Sequence, residues 1–483
     1  MSGENGGEFS VSGQRVTVVG AARSGVAAAE LLARRGARVT LSDAGSAIGA
    51  ADSERLARAG VTLELGGHGA ATFSDAELIV LSPGVPPELP VVARARSAGT
   101  PVIGEVELAC RWLRGRVIAI TGTKGKSTTT TLTGRMLEQA GFTVAVGGNI
   151  GHPVSAHVDT STPQTLHVVE VSSFQLEQID RFRPWIAVML NFSPDHLDRH
   201  HTLEAYARAK RRVFENQRSD DIAVINADDE PAMNLGRSAR SEKRLFSRHG
   251  TIEDGTVIEE DWIVARQNRI LDRLVPLSSI QLLGGHLVDD VMAAATVARI
   301  VGADSAAMTA AVRGFSGLEH AMELVTEFEG VRFVNDSKAT NVEAAVRSIE
   351  SFQSGVVAIV GGRFKGGDLR LLRGPIGGRA KAVVAIGEAK GLVRDALTDV
   401  IGVHDAETMD DAVARAFELA RPSGVVVLAP ACASFDMFRD YAERGRRFKE
   451  SVQRLKESRS KTSAAHVGTG AVEAYEQEHD EGG

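Results

Sequence analysis

Residues 117–130 read Val-Ile-Ala-Ile-Thr-Gly-Thr-Lys-Gly-Lys-Ser-Thr-Thr-Thr. An apolar run at 117–120 is followed at once by Gly122, Gly125, Lys126 and Ser127, and then by a helical pattern over 132–139. That succession predicts a buried strand, a glycine turn and a helix N-terminus. Such a turn lets backbone N–H groups close around a polyphosphate, and the helix dipole favours the negative charge. Lys126 then reaches the terminal phosphates, and the Ser127 hydroxyl is placed to ligate Mg²⁺. The spacing Gly-x-x-Gly-Lys-Ser is two residues shorter than the usual phosphate loop. The bland alternative is a chance turn with a solvated lysine. Against it stands the hydroxyl-rich run from Ser127 to Thr131, a poor way to begin an ordinary helix.

Upstream, residues 16–19 read as a strand, 20–25 as a glycine turn, 26–35 as a helix and 38–41 as a second strand, ending near Asp43. This is a right-handed βαβ unit of the dinucleotide-binding kind. Its glycines are spaced Gly-x-x-x-x-Gly, so a redox cofactor is not supported, whereas uridine or another nucleotide remains open. A strand at 78–81 runs into Ser82-Pro83-Gly84-Val85-Pro86, and a short helix from Glu105 leads to the phosphate loop.

Downstream, strands at 144–146, 166–169 and 185–190 run into Gly147-Gly148-Asn149-Ile150-Gly151, Glu170-Val171-Ser172-Ser173 and the segment from Asn191 to Asp195-His196-Leu197-Asp198-Arg199-His200. In a parallel sheet these polar stretches line the carboxyl edge, where ligands bind. A helix at 203–216 and a strand at 222–225 follow. Strands at 331–334, 356–360, 382–386 and 425–428, with helical patterns such as 412–420 between them, predict a further doubly wound sheet. The expected organisation is three α/β domains at 1–115, 116–317 and 318–456. The stretch 457–483, rich in Ser, Lys, Gly and Glu without periodicity, reads as a disordered tail.

The chain has 483 residues, 43% hydrophobic and 24% charged, which suits a soluble globular protein of about three domains. A net charge of −7 and a pI near 6.1 argue against a general nucleic-acid binder. Two cysteines, Cys110 and Cys432, suit a reducing cytoplasm and exclude a disulfide framework. No apolar run approaches the ~18 residues of a membrane span, and the N-terminus carries no basic-then-apolar signal.

Several residues stand out chemically. Leu203, Tyr206, Lys210 and Val213 are spaced 3, 4 and 3, which puts Lys210 on an apolar helix stripe while Arg208, Arg211 and Arg212 point elsewhere. An ammonium turned inward is costly unless it is paired or its pKa falls; snorkelling to a nearby carboxylate is the alternative. Glu170 and His196 follow strands of the sheet that carries the phosphate loop, and with Ser127 they offer ligands for Mg²⁺. Asn335-Asp336-Ser337-Lys338-Ala339-Thr340-Asn341 lies between a strand and a helix and also reads as a turn with an N-cap. Gly361 to Asp368 and Pro430-Ala431-Cys432-Ala433-Ser434 add cations and hydroxyls suited to an anionic small substrate.

Taken together, residues 15–450 resemble the Mur ligases. The marks are Ser82-Pro83-Gly84-Val85-Pro86, the loop at 122–128, Glu-Val-Ser-Ser-Phe-Gln at 170–175, and the stretches 191–200, 335–341 and 430–445. The resemblance implies an N-terminal Rossmann-like UDP-binding domain, a central P-loop ATPase with a mostly parallel sheet, and a C-terminal Rossmann-like domain that receives the amino acid. It implies a cytoplasmic, monomeric ligase of peptidoglycan precursor synthesis. Its substrates would be ATP, UDP-N-acetylmuramoyl-L-alanine and D-glutamate, with two Mg²⁺ ions and an acyl-phosphate intermediate.

By position, the resemblance assigns ATP binding to Gly122, Thr123, Lys124, Gly125, Lys126, Ser127, Thr128, Asp290 and Asp336. Metal sites fall to Ser127, Glu170, His196 and a carbamylated Lys210, and catalysis to Lys126, Glu170, His196, Lys210 and Lys338. The UDP-sugar falls to Ser24, Asp43, Ser82, Gly84 and Asn149, and glutamate to Thr340, Lys365, Ser434 and Tyr441. Three departures are visible. Lys124 stands where the family has Asn, Leu287 and Asp290 replace two amides near the adenine, and Ala321 replaces an arginine after His320. Two other readings stay open: a relative adding L-glutamate or serving a folate acceptor, and a nucleotide-binding regulator without catalysis.

Overall fold

The computed structural model describes residues 9–250, 252–280, 285–315 and 317–477, and of 197–198, 285–286 and 461–477 the backbone alone. Residues up to 315 form one compact unit carrying two sheets, and those from 317 onward form a second.

The first sheet comprises β1 (Arg15–Val19), β2 (Arg38–Asp43), β3 (Thr62–Leu65), β4 (Leu78–Leu81) and β5 (Val102–Gly104), all parallel in the order β3-β2-β1-β4-β5. Val16, Val18, Val39, Leu41 and Val80 bury one face against Val26, Ala29 and Leu32 of the helix Arg23–Arg34. The strand order reverses between β1 and β4, so the crevice at their carboxyl ends is the ligand-binding position of such a sheet. There the Ser82 hydroxyl donates to the Gly20 carbonyl at 2.8 Å. Gly25 is required beside it, because a Cβ would lie 1.7 Å from that same oxygen.

The second sheet contains β6 (Arg116–Thr121), β7 (Val144–Gly148), β8 (Leu166–Glu170), β9 (Ile186–Met189), β10 (Ile222–Asn226), β11 (Glu242–Ser247), β12 (Gly255–Glu259), β13 (Trp262–Gln267) and β14 (Ile270–Pro276). Its order is β14-β13-β12-β11-β10-β9-β6-β8-β7, parallel from β7 to β12 and antiparallel beyond. The antiparallel extension was not foreseen. Its signal is the Asn268-Arg269 turn, both residues with positive φ (50° and 66°), flanked by β-branched residues.

The third sheet, in the second unit, holds β15 (Glu323–Phe328), β16 (Val331–Asn335), β17 (Val356–Gly361), β18 (Ala380–Ile386), β19 (Val403–Ala406) and β20 (Gly424–Leu428), in the order β15-β16-β20-β17-β18-β19. Only β15 is antiparallel to its neighbour. The final helix, Tyr441–Gln477, departs from the unstructured tail read from residue 457. Val452 packs in the core, and Lys456 and Arg459 bond Thr326 and Glu329, so the helix is anchored through its first five turns. Residues 478–483 lie outside the described residues.

One buried carboxylate joins the first two sheets. Glu107, 1% exposed, accepts through Oε2 from the backbone N–H groups of Asp180, Arg181 and Phe182 at 2.9, 3.0 and 2.8 Å, while Arg111 Nε reaches Oε1 at 2.9 Å. Arg34 and Arg35 add two bonds to Asp159. Glu107→Ala leaves three donors and a guanidinium without their acceptor, and we expect it to cost about 3 kcal/mol of unfolding free energy. Urea denaturation measures this; a loss under about 0.5 kcal/mol would place Glu107 among ordinary surface residues.

Candidate active site

The phosphate loop leaves β6 and enters the helix Lys126–Gln139 through Gly125, whose φ of 80° admits no ordinary side chain. Asn191, the second residue beyond β9, clamps the loop: its Oδ1 accepts from Thr123 N at 3.1 Å and Lys124 N at 2.8 Å, and its Nδ2 donates to Lys124 O at 3.2 Å. Lys126 Nζ folds back onto the carbonyls of Gly122 and Thr123, at 3.0 and 2.9 Å. Thr128 is half-buried in the first helical turn, and the Lys124 side chain is exposed. Ser127 Oγ donates to Glu170 Oε2 at 2.7 Å, and Asn149 Nδ2 donates to Glu170 Oε1 at the same distance. The carboxyl ends of β6, β7 and β8 therefore converge on one buried carboxylate.

Lys210 is 1% exposed, which agrees with the stripe read from spacing, although Leu203 at its head is 37% exposed. Among the described residues no carboxylate receives its side-chain nitrogen. Nζ donates instead to Gly122 O at 2.6 Å and lies 4.9 Å from the centre of the Tyr206 ring. Burial first, and then the neighbouring Lys126, hold its pKa well below that of an ordinary lysine, which makes the neutral amine more accessible. Tyr206 is itself buried, and its hydroxyl lies 3.2 Å from Thr123 Oγ1.

His196 adopts a left-handed conformation (φ 52°) with its ring half-exposed, 5.0 Å from Phe174 and with Nε2 3.8 Å from Asp195 Oδ2. His200 is the buried one, holding Ser173 Oγ at 2.9 Å and Glu177 at 3.0 Å. In the first sheet Asp43 Oδ2 accepts from Ala21 N at 2.6 Å and shapes the β1 turn. Ser24 is half-buried and Gly84 exposed, both at the crevice beside Ser82.

In the second unit β16, β20 and β17 are neighbours, so the loops that follow them share one edge. Ala431 N donates to Ala339 O, Gly361 N to Pro430 O, and Arg363 and Ala433 exchange both backbone bonds. Asp336 is buried; Ser348 Oγ donates to it, as does Met322 N at 3.2 Å, and burial raises its pKa. Lys338 and Lys365 are exposed, Thr340 is half-buried, Ser434 is buried and Tyr441 is 42% exposed. Sequence reasoning found all of these but not Arg444, which is fully buried between the loops.

The Mur ligase MurD-like N-terminal domain matches residues 14–104, the Mur ligase middle domain 120–298, and the Mur ligase glutamate ligase domain 321–432. UDP-N-acetylmuramoylalanine–D-glutamate ligase of Acidobacterium capsulatum is 47% identical over 92% of this chain and 96% of its own length. The enzyme of the same name from Koribacter versatilis is 45% identical over 93% of this chain and 100% of its own. The chain belongs to the Mur ligase family. The crystal structure of UDP-N-acetylmuramate–alanine ligase from Thermotoga maritima shares the fold, with TM-score 0.56, 18% identity and coverage of 92% of this chain and 100% of that one.

Asp290, which the resemblance assigns to ATP binding, lies against Gly125 and Thr129 of the loop and helix start. It is 4% exposed beneath the phosphate loop, Oδ1 3.2 Å from Thr129 Oγ1, and burial raises its pKa far above that of an ordinary carboxyl. Among the described residues no three His, Cys, Asp or Glu side chains gather into a metal cage. The Ser127 hydroxyl and the Glu170 carboxylate are hard oxygen donors, which fits Mg²⁺ shared with nucleotide phosphates rather than held by protein alone. Asn191 and Tyr206 carry the loop geometry without having been singled out. The only sequence signal was their place, one just past a strand and one on the Lys210 stripe.

A Cβ on Gly125 would lie 2.0 Å from Asp290 Oδ1. Gly125→Ala should therefore cost about 3 kcal/mol, part left-handed strain and part collision. Adding Asp290→Ala should return about half of that in denaturant titrations. Strict additivity of the two changes would mean that the carboxylate does not bear on the loop.

Proposed function

We propose that this chain joins D-glutamate to UDP-N-acetylmuramoyl-L-alanine at the expense of ATP, as a cytoplasmic step of peptidoglycan precursor synthesis. The observation that carries the reading is the Ser127–Glu170 contact of 2.7 Å at the start of the helix that follows Lys126. A hydroxyl and a carboxylate so joined, beside backbone donors that suit phosphate, support a nucleotide with its magnesium at this point. The names of the relatives support the choice of D-glutamate.

In this reading residues 1–115 receive the UDP-sugar through Ser24, Asp43, Ser82 and Gly84, with Asn149 from the next sheet. Residues 116–317 bind ATP through Gly122 to Thr128. Residues 318–456 supply Asp336 and Lys338 toward the phosphate chemistry, and Thr340, Lys365, Ser434 and Tyr441 toward glutamate. A carboxylate is a poor electrophile, so it is first phosphorylated; the amine of glutamate then attacks the acyl phosphate, and phosphate leaves. Lys126 offsets charge that builds on the transferred group. Ser127, Glu170, His196 and Lys210 would hold Mg²⁺, which supplies further charge stabilisation at the phosphates.

Lys210 suits carbamylation because CO₂ reacts with a neutral amine, and its burial favours that form. The product is an anion, which would turn a buried amine into a ligand for a cation.

The deciding assay is phosphate release with ATP, UDP-N-acetylmuramoyl-L-alanine and each enantiomer of glutamate. Release with D-glutamate alone is the expected result; release with L-glutamate, or with neither, overturns the assignment. Lys126→Ala should lower kcat roughly a thousandfold while UDP-sugar binding, followed calorimetrically, stays intact. Undiminished turnover would remove the phosphate-loop assignment. Lys210→Ala should fall at least roughly a hundredfold and recover in part with formate or acetate. Full activity of that variant in CO₂-depleted buffer would make the lysine structural.

A further inference from the structure

Arg444 is among the largest side chains in the protein that are fully buried, at 1% exposure. Its three hydrogen bonds go to a hydroxyl and two carbonyls: Nε to Ser337 Oγ at 3.0 Å, Nη2 to Ser337 O at 2.9 Å and Nη1 to Cys432 O at 3.0 Å. Among the described residues no carboxylate pairs with it. Asp436, whose charge bears on the guanidinium from beyond salt-bridge distance, accepts from Glu388 N at 2.9 Å. Burial lowers the guanidinium to about 10, which leaves it cationic at neutral pH.

A buried charge is costly unless it is paired or neutralised. Glu107 has Arg111, and Lys210 is driven toward the neutral amine. Arginine has no such escape. The backbone has also been shaped to admit it: a Cβ on Gly362 would lie 3.2 Å from Arg444 Nη1 and 2.3 Å from Ala433 O. The residues it holds are the roots of two loops at one sheet edge. Ser337 precedes Lys338 and Thr340, and Cys432 precedes Ser434. Lys365, on the third adjoining loop, is close enough to influence the Cys432 thiol.

We propose that Arg444 is a positioning and specificity residue for the incoming amino acid, fixing the Ser337 and Cys432 loops while its charge, held in no salt bridge among the described residues, favours an acceptor with an acidic side chain over its neutral amide. The proposal rests on the functional reading above, because it takes those loops as the amino-acid site.

The test compares kcat/KM for D-glutamate and D-glutamine, with saturating ATP and UDP-sugar, in wild type, Arg444→Met and Arg444→Lys. Arg444→Met should raise the KM for glutamate roughly ten- to a hundredfold and shrink the glutamate-to-glutamine preference by about tenfold, with the KM for ATP nearly unchanged. Arg444→Lys keeps the charge without the planar fork, so it should raise the glutamate KM yet retain the preference. An unchanged preference in Arg444→Met, or parallel rises in the KM values of glutamate and ATP, would reduce Arg444 to a structural residue. Should Arg444→Met fail to fold, Arg444→Lys decides on the same KM comparison. A wild type inactive with every acceptor would instead fault the functional reading; glutamate-dependent thermal stabilisation of the full chain then still tests Arg444. Stabilisation by glutamate and not glutamine that is lost in Arg444→Met supports the proposal, and equal stabilisation in wild type and variant overturns it.

Discussion

The carbonyl of Gly122 accepts from two lysines, Lys126 at 3.0 Å and Lys210 at 2.6 Å, and the arrangement of the first unit follows from that crowding. Two ammoniums cannot both stay charged around one oxygen in a buried setting at low cost. Burial lowers the pKa of the more deeply buried one, Lys210. That requires Lys210 to be walled from water, which Tyr206, Val213 and the stacked Phe192 accomplish. It also requires the loop to be rigid, which falls to Asn191 and to the left-handed Gly125 over Asp290.

The same economy of buried charge recurs in three forms. Glu107 is satisfied by three backbone donors and one arginine, and so serves as a rivet between two sheets. Desolvation raises the pKa of Asp290 beneath the phosphate loop, so a negative charge there is disfavoured. Arg444 can do neither, and its charge is left facing the loops of the second unit.

Much of this was legible in the chain before any coordinates. The strand-turn-helix at 117–139 gave the phosphate loop because apolar runs, glycines and hydroxyls report local backbone preferences directly. Lys210 was visible from the 3.6-residue periodicity alone. The strands at 242–276 were missed because their exposed residues blur the alternation, as the exposed Ile270 and Leu271 show. The tail beyond 457 was read as disordered because its composition lacks an apolar stripe, whereas Glu329 and Thr326, far away in sequence, anchor its first turns as helix.

Sequence by itself determined which residues stand at strand ends, and hence the presence of Ser127, Glu170, Lys338, Thr340 and Ser434 at carboxyl edges. It also determined the family, since those motifs occur in order along one chain. Only the tertiary structure decided who touches whom. That Glu170 is shared by Ser127 and Asn149 depends on β6, β8 and β7 being neighbours, and that order is set by packing across long sequence separations. That Arg444 lies buried against Ser337, 107 residues away, leaves no periodic or compositional trace. A side chain's partners are fixed by strand order and desolvation, and neither is a local property of the chain.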